Sequence, residues 1–186
     1  MNHELNHADQ QTLLEIAQNS LTCAARGEAQ PKLDLNGLPE SLRKQRATFV
    51  TLHINGRLKG CLGSLDATQE LAKDVANNAY RAALYDPRFP PVNTLELPDV
   101  SLHISVLAPL ERMLVTNIDD LRAKIRPGVD GILLIAGNRR GTFLPDVWEQ
   151  LPKMNDFLNH LWTKAGLAAG EWPENMEVFR YSTQGF

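Results

Sequence analysis

The stretch Ala47-Thr48-Phe49-Val50-Thr51-Leu52-His53-Ile54-Asn55-Gly56-Arg57-Leu58-Lys59-Gly60-Cys61-Leu62-Gly63-Ser64 reads as two strands joined by a tight turn. Its first half is mostly β-forming, and Asn55-Gly56 suits a type I′ turn, whose two central residues both take positive φ. A two-residue turn there sets Ile54 opposite Arg57, Leu52 opposite Lys59 and Val50 opposite Cys61, all on one face. The other face then carries Phe49, Thr51, His53, Leu58 and Leu62. In this register Cys61 shares its face with two cations, and Gly60 and Gly63 leave the adjacent backbone bare to close approach. Two readings of Cys61 follow. It is a reactive thiol in a cationic setting, or a small buried hydrophobe on a strand that its glycines bend.

Upstream, Asp9 caps a helix over residues 10–26, with Leu13, Ile16, Ser20 and Cys23 on one stripe and Gly27 as its stop, which places Cys23 in the core. Residues 31–39 have loop composition, and residues 40–46 form a polar turn or short helix. Downstream, Asp66 caps a helix whose Leu71, Ala72, Val75, Ala76, Ala79, Ala82 and Ala83 make a wide face of small residues that invites close packing. Asp86 precedes Pro87 and leaves the helical region, so Asp86-Pro87-Arg88-Phe89-Pro90-Pro91 runs as a stiff extended loop. Residues 100–108 alternate as a strand, with Ser101, His103 and Ser105 outward. A short helix over 118–126 leads to the apolar strand Ile132-Leu133-Leu134-Ile135, which turns through Gly137-Asn138-Arg139-Arg140-Gly141 into Thr142-Phe143-Leu144 as a second hairpin. Residues 155–165 have helical period, and Val178-Phe179-Arg180-Tyr181 ties the C-terminus into a sheet. Hairpins and helices alternate without βαβ rhythm, so the fold class is α+β with largely antiparallel sheet.

With 186 residues the chain buries a full core. A net charge of −3 argues against nucleic acid and anionic membranes as partners. No apolar run reaches the roughly 20 residues of a spanning helix, and Met1-Asn2-His3-Glu4-Leu5-Asn6-His7 lacks the basic and apolar regions of a signal peptide. A cytoplasmic protein is expected, in which Cys23 and Cys61 stay reduced. His3 and His7 would lie one turn apart in a helix, but a polar tail is a poor metal site. The scattered histidines and the absence of Cys-x-x-Cys or His-Glu-x-x-His spacing predict no metal. No glycine-rich phosphate fingerprint joins a strand to a helix, so no nucleotide cofactor is expected.

A thiol enzyme needs a base near Cys61. His53 projects from the opposite face in the register above, which leaves His103 as candidate, or as a solvated strand histidine. Asp86 and Arg88 form either a pair facing a pocket or a surface salt bridge that orders their loop.

Several stretches together resemble the AMMECR-type domain family, the "Amme" component of AmmeMemoRadiSam gene neighbourhoods. They are Leu58-Lys59-Gly60-Cys61-Leu62-Gly63, Asp86-Pro87-Arg88-Phe89-Pro90-Pro91 with Glu96-Leu97, Ile104-Ser105-Val106-Leu107, Thr142-Phe143-Leu144-Pro145 and Lys164-Ala165-Gly166-Leu167. The likeness spans nearly the whole chain and departs at Lys59, where the family has arginine, a planar fork rather than a point charge. It implies one AMMECR-type domain over residues 1–186, an α+β fold in two unequal lobes, the larger joining both chain ends, with the glycine-cysteine motif near a cleft. It implies no settled activity. On this basis Cys61, Lys59 and His103 are the candidate catalytic residues, and Gly60, Gly63, Asp86, Arg88 and Glu96 the candidate substrate-binding ones. The first reading is a small enzyme or catalytic partner acting on a small molecule or modified macromolecule, linked to Memo-like proteins and radical S-adenosylmethionine enzymes. The second is a non-catalytic docking module for such enzymes or for nucleic acid, with the acidic balance against nucleic acid.

Overall fold

A computed structural model describes residues 4–186, so His3 and the notion of a His3–His7 metal pair lie outside the described residues. The fold is α+β. The described chain divides into two compact units, one running through Leu107 and taking back Gln184–Phe186, the other spanning Ala108–Thr183.

In the first unit, α1 (His7–Ala25) begins one turn earlier than its composition suggests. The cap is Asn6, whose side chain accepts the Asp9 N–H. Asp9, expected as the cap, is instead buried in the first turn. A short helix α2 (Glu40–Arg43) leads into β1 (Thr48–Ile54), which pairs with β2 (Arg57–Gly63) through Asn55 and Gly56, both at positive φ as a type I′ turn requires. Helix α3 (Leu71–Leu84) starts at Glu70 with no side-chain cap, so Asp66 does not cap it. Strand β3 (Val100–Leu107) lies beside β1, and β8 (Thr183–Gly185) closes the sheet in the order β2-β1-β3-β8. One face of β1 sends Thr48, Val50 and Leu52 into a core shared with Leu13, Ala17 and Leu21 of α1 and Leu71, Val75 and Ala79 of α3. Ser105, expected outward on β3, is buried. Cys23 is half-buried rather than core, near the end of α1, where burial and then Glu28 push its thiol pKa up.

In the second unit, β4 (Glu111–Met113), β5 (Gly131–Ala136), β6 (Arg139–Phe143) and β7 (Met176–Tyr181) form an antiparallel sheet ordered β4-β7-β5-β6. Helices α4 (Ile118–Lys124), α5 (Val147–Gln150) and α6 (Met154–Lys164) complete it. Trp148 stacks on Phe157 with ring centroids 3.7 Å apart, and Phe143 meets Phe157 edge-on, so α5 and α6 close over β6 through aromatic packing. Strand β6 begins at Arg139 because Gly137-Asn138 alone make the turn, three residues sooner than the glycine-rich composition suggests.

Candidate functional site

The hairpin register departs from the ideal one at a single residue. Ile54 faces Arg57 as expected and His53 faces Leu58, but Leu52 then faces Gly60, Thr51 faces Cys61 and Val50 faces Leu62, leaving Lys59 as the extra residue of a bulge. Because strand side chains alternate, one inserted residue moves everything beyond it to the other face. Cys61 therefore leaves the face of Val50 and Leu52 and joins that of Phe49, Thr51 and His53, which corrects both its expected neighbours and the exclusion of His53 by parity. The expected cationic setting goes with it, since Lys59 sits in the bulge and Arg57 remains opposite Ile54.

The two glycines beside the bulge lie against distant parts of the chain. A Cβ on Gly60 would stand 2.3 Å from the Ala82 carbonyl oxygen, so β2 rests directly on the small-residue face of α3. At Gly63 it would stand 2.3 Å from the Thr48 carbonyl oxygen and 2.4 Å from the Phe49 ring. The space beside both glycines is filled by the chain itself, so neither leaves its backbone bare.

Strand β2 is an edge of its sheet, and its free side at Cys61 is covered by the proline-stiffened loop that follows α3. Asp86 Oδ2 accepts the Cys61 N–H at 2.9 Å, and Arg88 Nη2 donates to the Cys61 carbonyl at a longer 3.4 Å. Arg88 also grips Asp86 through Nε at 2.9 Å and Nη2 at 2.7 Å. Together carboxylate and guanidinium mimic a neighbouring strand, satisfying one donor and one acceptor on an exposed edge. The Arg88 hydrogen bonds, followed by the Cys61 N–H, hold the Asp86 carboxyl down to about 2 despite its burial.

Lys59 turns out of the bulge onto Glu96, Nζ to Oε1 at 2.6 Å, with only 13% of the lysine side chain exposed. Glu96 is held by the Asn93 backbone and side-chain N–H groups at 2.9 Å each. Lys59, then Asn93, keep the Glu96 carboxyl below its usual range. At the thiol, the Thr51 hydroxyl donates to Cys61 Sγ at 3.3 Å. His103 pairs with Thr51 from the far side of β1, two strand spacings or about 10 Å from β2. Its ring lies against Gly185 of β8, where a Cβ would come within 2.9 Å of Nε2, and so leans away from Cys61. Cys61, Lys59, Asp86, Arg88 and Glu96 thus gather at one sheet edge, whereas His103 shares only the sheet face.

The concave surface here lies at the hairpin tip, a groove of ≈ 550 Å³ lined by Ile54, Asn55, Arg57, Leu58, Lys59 and Glu96. Arg57 is exposed and has no ion pair among the described residues. Spacing placed it with Lys59 on the face of Cys61 and did not count it among the candidate site residues. Among the described residues no group of three or more His, Cys, Asp or Glu side chains is arranged to hold a metal, and no helix is long and apolar enough to cross a membrane.

Two antiparallel sheets with flanking helices, a glycine-cysteine hairpin and an Asp-Pro-Arg edge clasp make this an α+β protein with a covered sheet edge. A sequence model of the AMMECR1 family matches residues 14–186, and the chain belongs to that family. A protein of Methanothermobacter thermautotrophicus is 35% identical across 98% of this chain and 95% of its own length. One from Thermotoga maritima is 38% identical across 80% of this chain and 82% of its own. The crystal structure of uncharacterized protein PH0010 from Pyrococcus horikoshii superposes with a TM-score of 0.82 at 27% identity, covering 93% of this chain and 88% of that one.

Proposed function

We propose that the chain is a recognition module: the tip of its β1–β2 hairpin, held in place by the loop of Asp86, Arg88 and Glu96, binds a small anionic molecule, or a modified macromolecule bearing one, on behalf of a partner enzyme. The observation that carries this is the state of the charges. Around Cys61 the ionised side chains of Lys59, Glu96, Asp86 and Arg88 are committed to one another, and the thiol's side-chain hydrogen bond comes from a threonine, not a base. At the hairpin tip, by contrast, Arg57 borders a groove with aliphatic walls from Ile54 and Leu58. A free guanidinium over such a wall suits an oxyanion attached to an apolar body. The AmmeMemoRadiSam resemblance makes a Memo-like protein and a radical S-adenosylmethionine enzyme the partners to try first.

Calorimetry of the native chain against each purified partner, with and without Arg57→Leu and Cys61→Ala, tests the reading. Arg57→Leu is expected to weaken binding by about tenfold or more while Cys61→Ala leaves it unchanged. The same affinity in Arg57→Leu would remove the groove from the interface and defeat the proposal.

A second reading, a thiol enzyme, is favoured by one contact, the Thr51 hydroxyl on Sγ of a half-exposed cysteine. It requires iodoacetamide to modify native Cys61 as fast as it modifies the unfolded chain, and Cys61→Ala to abolish turnover in the partner's pathway. Slow native alkylation with intact turnover in Cys61→Ala leaves the recognition reading.

A further inference from the structure

A second pocket lies where the segment after α1 crosses α3, away from the cysteine edge. It encloses ≈ 310 Å³ and is lined by Gln30, Pro31, Lys32, Leu33, Leu35, Lys73 and Asn77. No carboxylate lines it. Lys32 and Lys73 are exposed and have no ion pair among the described residues, while Gln30 and Asn77 are half-buried. Both lysines line one small pocket, so an anion bound in it is attracted by two cations.

The amides at this pocket have a fixed sense, set from deep in the core. Asp74 is 2% exposed and accepts from the Thr48 hydroxyl at 2.6 Å, from Asn78 Nδ2 at 2.9 Å and from Gln69 Nε2 at 2.8 Å. Asp74 Oδ1 accepts from the Gln69 NH₂, which leaves the Gln69 oxygen facing outward. That oxygen accepts from Asn77 Nδ2 at 2.7 Å, and Asn77 Oδ1 accepts from Gln30 Nε2 at 2.7 Å. The chain ends with Gln30 Oε1 as an acceptor and with a second N–H on each of Gln30 and Asn77 unspent in these bonds. The pocket is therefore lined by two lysines and two side-chain amides, Gln30 and Asn77, together with Pro31, Leu33 and Leu35.

We propose that this pocket binds a small phosphate monoester, its phosphate between Lys32 and Lys73 and a hydroxyl of its organic part donating to Gln30 Oε1. A phosphate suits it better than a carboxylate because three charged oxygens can use both ammonium groups and an amide N–H together. The site does not depend on the hairpin groove or on Cys61.

The test titrates the full chain with glycerol phosphate and with inorganic phosphate, following the side-chain amide signals of Gln30 and Asn77 by NMR. Saturable shifts at both amides are expected. The double variant Lys32→Ala/Lys73→Ala should weaken both ligands by about tenfold or more at an unchanged melting temperature, because both lysines are exposed. Gln30→Leu should weaken glycerol phosphate more than inorganic phosphate. Arg57→Leu should change nothing here, which separates this site from the hairpin groove. Shifts that do not saturate, an unaltered affinity in the double lysine variant, or loss of binding in Arg57→Leu would each overturn the proposal.

Discussion

At the scale of single residues, Asp86 carries more of the local order than its neighbour Cys61. Its two oxygens accept four hydrogen bonds, three from Arg88 and one from the Cys61 N–H. The Arg88 hydrogen bonds hold the folded carboxyl down to about 2, below the ordinary carboxylate range, so the stabilisation is complete above the unfolded value and is lost as pH falls from there toward 2. A depression of that size at a buried group corresponds to about 2 kcal/mol. Asp86→Asn is expected to lose about that much at neutral pH and to flatten the acid limb of a stability profile followed by urea unfolding. An acid limb as steep as in the parent would show that another carboxylate dominates. Arg88→Ala leaves the same buried carboxylate short of its main partner, so a fall in melting temperature is expected. The proline-rich loop thus serves the fold at Arg88 before it serves any ligand, a role that its stiff composition alone does not separate from substrate contact.

At the scale of the element, the hairpin decides where the cysteine points. The Asn55-Gly56 turn and the pairing of Ile54 with Arg57 were legible because turn chemistry is local. The face of Cys61 was not, because the bulge at Lys59 answers to a non-local fact, the rest of Gly60 on the Ala82 carbonyl. The glycine in mid-strand and the alanine-rich face of α3 were both visible, and together they are the signal for such close approach. Gly60→Ala tests this argument. With backbone rather than a flexible side chain in the way, the strand or the helix must shift, and a loss of about 2–3 kcal/mol or more is expected in urea unfolding. A stability within about 0.5 kcal/mol of the parent would mean that β2 moves freely off α3. The helix starts were less legible than the strands. Asn6 and Asp9 are both good caps, and only the buried position of Asp9 against the first unit's core decides between them. Cys23 fell on an apolar stripe by spacing, yet the buried stripe at the end of α1 runs through Leu21 and Ala24, and Cys23 lies to one side of it.

At the scale of the whole chain, the first unit is built from two distant pieces, and its integrity rests on how the C-terminal residues return. That the C-terminus enters a sheet is readable from the β-forming residues 178–181, but those residues belong to β7 of the second unit, and a separate short strand makes the return. The polar Thr183-Gln184-Gly185 has no apolar pattern to announce it. Its hold is made instead by hydrogen bonds. Ile104 and Phe186 exchange N–H to carbonyl bonds at 2.9 Å and 3.1 Å. Gln184 clips the N-terminal segment, its Oε1 accepting the Leu5 N–H at 2.8 Å and its Nε2 donating to the Leu5 carbonyl at 2.9 Å. Leu5 is buried, so loss of the amide leaves that backbone N–H without its partner. Gln184→Ala should cost about 1–2 kcal/mol, and at about 2–4 °C per kcal/mol for a chain of this size the drop in melting temperature is measurable. Amide exchange gives the sharper readout. Protection should fall at Leu5 and Ile104 while Ile132–Leu134 in β5 of the second unit keep theirs, because the clip lies wholly within the first unit. Equal loss of protection in β5 would mean that the two units unfold as one and that the clip stabilises the entire chain.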